Sequence, residues 1–94
     1  MIEIPENDKK RDFENEVDEA CQVVVDDFTK HGRDWAEVGC TEAMYHPAPG
    51  FLTDVLCEVA TRFKARGYHA HFAYNQKGTR YALVVTKYAT NKDL

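Results

Sequence analysis

The sequence predicts an α+β domain with the element order α-β-α-β-β. Two apolar stripes of helical period and one hairpin pattern predict it. The expected architecture is compact: a small three-stranded mixed sheet with two helices on one face.

Residues 8–31 form the first predicted helix. Phe13, Val17, Ala20, Cys21, Val24 and Phe28 fall on one stripe at 100° per residue. Asn7 or Asp8 can cap its start, and Gly32 stands where a terminating glycine belongs. The opposite face carries Asp12, Asn15, Glu19, Gln22 and Asp26.

A short strand is expected near residues 36–42, where Val38, Cys40 and Met44 share a period-two face that Glu42 interrupts. Trp35 and Tyr45 flank this stretch, and Trp35 is expected in the core. His46-Pro47-Ala48-Pro49-Gly50 reads as a stiff connector or an exposed recognition loop. The second helix spans residues 51–66, with Leu52, Val55, Leu56, Val59 and Phe63 on its stripe and Gly67 at its end.

Residues 68–75 and 79–88 make a hairpin around Asn75-Gln76-Lys77-Gly78, with Gly78 left-handed in a bulge. Counted outward from that turn, Phe72 pairs with Ala82, His71 with Leu83 and His69 with Val85. One face then holds Tyr68, Ala70, Phe72, Tyr74, Ala82 and Val84, and the other His69, His71, Ala73, Tyr81, Leu83 and Val85. A right-handed β-α-β crossover makes the first two strands parallel, and the hairpin adds an antiparallel one. Two helices cover only one face of so small a sheet. The other face is partly apolar and hints at a partner, including a second copy.

Composition bounds the rest. Ninety-four residues make one domain, 44% hydrophobic and 30% charged, with net charge −4. The expected domain is 1–94, with 1–6 and 90–94 as frayed tails. Nothing approaches the ~18 consecutive apolar residues of a membrane span. The acidic, proline-broken start lacks a secretion signal, and three cysteines cannot close a disulfide framework. The expected compartment is therefore the cytoplasm, a host's if the protein is viral.

Charge is unevenly laid out. Residues 1–31 carry ten acids against four bases, and residues 59–94 carry seven bases against one acid. Asp12, Glu19 and Asp26 can dock the acidic helix on a basic partner protein. Tyr81 and Leu83 are the expected self-association residues. Tyr74, Lys77, Arg80 and Tyr81 offer bases and rings to a single-stranded nucleic acid instead. The two charged regions can equally attract each other within the fold.

No catalytic signature appears. The chain has no serine, no glycine-rich phosphate loop and no spaced metal-ligand motif. His69 and His71, two apart on a strand, point the same way and can meet one metal if His46, Cys40 or Cys57 supplies a third ligand. As packing residues, they would instead give a contact surface a response to pH between ~5 and ~7. A cysteine nucleophile needs a nearby base that the sequence does not specify. Carboxylates at Glu14, Glu16, Asp18, Glu19, Asp26 and Asp27 point ~100° apart between neighbours, so they form no shared acid–base pair. The expectation is a non-catalytic protein-binding module, an inhibitor or accessory factor, with no cofactor and no membrane partner. The alternative is a nucleic-acid binder using the hairpin.

Overall fold

Two helices pack on one face of a four-stranded mixed sheet in the computed structural model, which describes residues 1–8, 10–42 and 50–88. The elements are α1 (Phe13–Thr29), β1 (Trp35–Cys40), β2 (Gly50–Phe51), α2 (Thr53–Lys64), β3 (His69–Tyr74) and β4 (Arg80–Thr86). The expected His46–Pro49 connector, Met44, Tyr45 and the 90–94 tail lie outside the described residues.

Helix α1 starts at Phe13, the first residue of its stripe, rather than at residue 8. Asp12, not Asn7 or Asp8, is the cap: its Oδ1 accepts from the Asn15 amide at 3.1 Å. The preceding Arg11 is turned onto Glu16 and, through a two-nitrogen fork, onto Asp54 of α2 at 3.0 and 3.2 Å. That guanidinium holds the Asp54 carboxyl below the usual carboxylate range. Val17, Ala20, Val24 and Phe28 are buried as the stripe requires.

The extra strand, β2, lies where the second helix was expected to begin. Gly50 and Phe51 run parallel to Gly39 and Cys40, and the Thr41 amide donates to the Phe51 carbonyl at 3.0 Å. Extended Leu52 (ψ 153°) then turns the chain into α2. Two residues are too few for period-two patterning to register.

Helix α2 ends in a Schellman motif. The Tyr68 amide donates to the Phe63 carbonyl and the Gly67 amide to that of Lys64, both at 3.1 Å. Gly67 sits at φ +89°, a conformation that costs any residue with a Cβ roughly 1–2 kcal/mol. The Tyr68 ring meets Phe63 edge-on at 5.4 Å and stacks on Phe28 at 5.3 Å. One aromatic cluster thus ties the end of α1, the end of α2 and the entry to β3.

Strand β4 lies between β1 and β3 in the order β2-β1-β4-β3, antiparallel to both. β1 and β3 therefore run in the same direction, as a crossover through α2 demands, with β4 inserted between them.

The hairpin turn forms as its residues dictate. Asn75 Oδ1 accepts from the Lys77 and Thr79 amides, and Gly78 takes φ +79°. Next to the turn, Tyr74 pairs with Arg80, as outward counting predicts. A second bulge then intervenes. Beyond it Ala73 pairs with Ala82, Phe72 with Leu83, His71 with Val84, Ala70 with Val85 and His69 with Thr86. Tyr81 is the extra residue.

That one-residue slip corrects the expected faces of β4. Leu83 and Val85 join Ala70 and Phe72 of β3 and Ala36, Val38 and Cys40 of β1 beneath the helices. The helix-free face carries three cross-strand rows: Trp35–Thr86–His69, Glu37–Val84–His71 and Gly39–Ala82–Ala73. Trp35, expected in the core, is 49% exposed, because its parity on β1 is opposite to that of Ala36, Val38 and Cys40.

Candidate functional site

The helix-free side of the sheet brings together Trp35, Glu37, His69, His71, Val84 and Thr86. Trp35 stands at its margin, with the Arg33 guanidinium 5.6 Å from its ring centroid. His71 is exposed, and His69, Val84, Glu37 and Thr86 are half-buried. Gly39 and Ala82 are buried, so the exposed part of the face is the two rows from Trp35 to His71. Alternation along β1, β3 and β4 brings these residues together although they are far apart in sequence.

Of the expected self-association residues, Leu83 is wholly buried in the protein's own core. It is not available to a second chain, because the bulge at Tyr81 turns it under the helices. Tyr81 itself is half-buried within the bulge.

Asp12, Glu19 and Asp26 do line up along one side of α1, spread over about 20 Å at 1.5 Å per residue. Their charges are partly engaged locally. Asp12 caps the helix, the Asn15 side-chain Nδ2 donates to Glu19 at 3.2 Å, and Asp26 accepts from Gln22 at 2.7 Å with Lys30 Nζ 3.6 Å away. Elsewhere on α1 the acids pair with bases of the fold. Arg62 of α2 reaches Glu14 at 3.0 Å, Asp18 at 3.4 Å and its own helix's Glu58 at 3.2 Å. Arg33 lies 3.6 Å from Asp27. Part of the uneven charge in the sequence is therefore neutralised between the two helices. Each such exposed pair contributes little on its own.

At the hairpin, Arg80 is drawn inward. Its guanidinium lies 5.2 Å from the Phe72 ring centroid and 5.7 Å from that of Tyr74, and its amide donates to Glu42 at 3.1 Å. Lys77 is exposed at the tip and Tyr74 is 53% exposed. Tyr74, Lys77 and Arg80 thus cluster, but Arg80 is committed to cation–π packing.

His69 and His71 share the helix-free face. Cys40 lies across the sheet in the core, its Sγ 3.4 Å from Thr53 Oγ1, and Cys57 is exposed on α2. His46, the other expected third ligand, lies outside the described residues. No group of three metal-binding side chains converges among the described residues. The thiols are also scattered. Burial pushes the Cys21 thiol up, against the opposing pull of Arg62. That keeps it protonated, the opposite of what a nucleophile needs.

Sequence reasoning missed one concavity. Cys21 and Val25 of α1 with Arg62, Phe63, Arg66 and Tyr68 line an open pocket of about 320 Å³. Cys21 on the first stripe was the sequence signal, since it packs beside the core without being enclosed by it.

Among the described residues no helix is long and apolar enough to cross a membrane. No protein-family model matches this chain, and no curated protein or solved structure is significantly similar to it.

Proposed function

We propose that this protein is a small protein-binding module that self-associates through the helix-free side of its sheet. One observation carries the reading: both helices pack on the same face, leaving Trp35 half-exposed beside His69, His71 and Val84 on the other. A two-layer fold buries one side of its sheet with its own helices. The second side then gains from burial against another sheet, at a face-to-face spacing of about 10 Å. Tryptophan is the residue type most enriched at the energetic centre of such contacts.

Sedimentation velocity from micromolar to millimolar protein tests the reading. The wild type should shift toward a dimer with rising concentration. Trp35→Glu should weaken that association by at least tenfold, about 1.4 kcal/mol, while leaving the circular dichroism unchanged. A wild type that stays monomeric across the range, or a Trp35→Glu protein that associates as well as wild type, would contradict it.

A further inference from the structure

We infer that Met1–Glu6 of one copy adds as a short strand to the β3 edge of a second copy, clasping the dimer. The inference rests on the self-association reading above and names the segment and the edge that complete it.

Two independent features fit each other. The donor is Met1-Ile2-Glu3-Ile4-Pro5-Glu6, in which β-branched apolar residues alternate with acid, the pattern of a half-buried strand. Ile2 is 88% exposed and Ile4 85%, with Met1 fully exposed, so its own fold gives these side chains nothing to pack against. The acceptor is β3, His69–Tyr74, the long edge of the sheet. One side of its backbone is hydrogen-bonded to β4 and, among the described residues, the other is the sheet's margin. Edge strands are ordinarily guarded by lysine, proline, inward charge or shortness. The other edge, β2, has two residues among those described. β3 has six residues, with no lysine, arginine, acid or proline among them.

Charge chooses between the occupants such an edge can take. The segments flanking β3 are basic: Lys64 and Arg66 precede it and Lys77 follows it. Pairing β3 with β3 of a second copy would set these bases against one another. The arm instead brings Glu3 and Glu6, and Ile2 and Ile4, two apart on one face, can extend the apolar row of Ala70 and Phe72. Residues 1–10, ahead of the anchored Arg11, span up to roughly 35 Å when extended, enough to reach a neighbouring copy. Pro5 lacks an amide and limits the added strand to about four residues.

Isotope-mixed NMR on the full chain tests the clasp, with carbon-13-labelled and unlabelled copies combined in equal amounts. Filtered spectra should show contacts from the Ile2 and Ile4 methyls of one copy to residues 69–74 of the other. Ile2→Asp combined with Ile4→Asp should weaken dimerisation at least tenfold in sedimentation and leave the monomer's thermal midpoint in place, since both side chains are exposed. A dimer indifferent to that double substitution but disrupted by Trp35→Glu would overturn the clasp and leave the sheet-face reading standing. Arm contacts confined within one copy would also overturn it. A protein monomeric throughout would overturn both.

Discussion

Replacing Leu83 by alanine should lower the unfolding free energy by about 3 kcal/mol, whereas Val84→Ala should cost less than about 1 kcal/mol. The two residues are neighbours on one strand and similar in chemistry. Their difference comes from the bulge at Tyr81. It places Leu83 at zero exposure beside Val38 and Phe72 beneath the helices, and Val84 half-buried beside Glu37 and His71. Truncating Leu83 removes contacts on every side and leaves a cavity that so small a core relaxes into only partly. A 94-residue domain has roughly 5–14 kcal/mol of stability in all, so the loss is a large fraction of it. Urea denaturation of the two variants measures the contrast directly. An uninterrupted register from the turn would reverse it, with Val84 the costly position and Leu83 the tolerant one.

Phe63→Ala should destabilise by about 3–4 kcal/mol and lower the thermal midpoint by more than ~10 °C. Phe63 is 8% exposed and stands at the junction of three elements. Its ring meets Phe28 at 6.4 Å and Tyr68 at 5.4 Å, both edge-on. The Tyr68 contact is also the apolar clasp of the Schellman motif that ends α2. Alanine therefore removes core volume, two aromatic contacts worth ~0.5–1.5 kcal/mol each beyond their area, and the support of a helix terminus. Phe63→Leu should recover most of the loss. A melting curve in which the alanine variant stays within a few degrees of wild type would show that the cluster does not bind α1 to α2 as described.

Much of the architecture is legible in local pattern. The stripes of α1 and α2 mark their buried faces because helical periodicity repeats over many residues. The Asn75–Gly78 turn is legible because asparagine and a left-handed glycine leave few alternatives. The misreadings in the sheet share one cause: they depend on partners distant in sequence. β2 is two residues long and exists only through its pairing with β1. The bulge at Tyr81 leaves no mark in local composition, yet it reverses every side chain of β4 beyond it. The place of Trp35 depended on which parity of β1 the helices cover, and that is settled by packing. Charge was half legible. The acidic and basic segments are plain in the sequence, but the fork from Arg11 to Asp54 and the reach of Arg62 to Glu14 and Asp18 appear only once α1 and α2 are side by side. His69 and His71 were correctly read as sharing a face, but not as sharing it with Val84 and Trp35.

On the reading proposed above, the helix-free face is where this protein meets another chain. Amide chemical shifts recorded by nitrogen-15 NMR as the protein is diluted from millimolar to micromolar test it most directly. Concentration-dependent shifts are expected at Trp35, Glu37, Val84, His69 and His71, with the outer surface of α1 from Asn15 to Asp26 unchanged. Shifts confined to α1, or no concentration dependence on the sheet face at all, would contradict it.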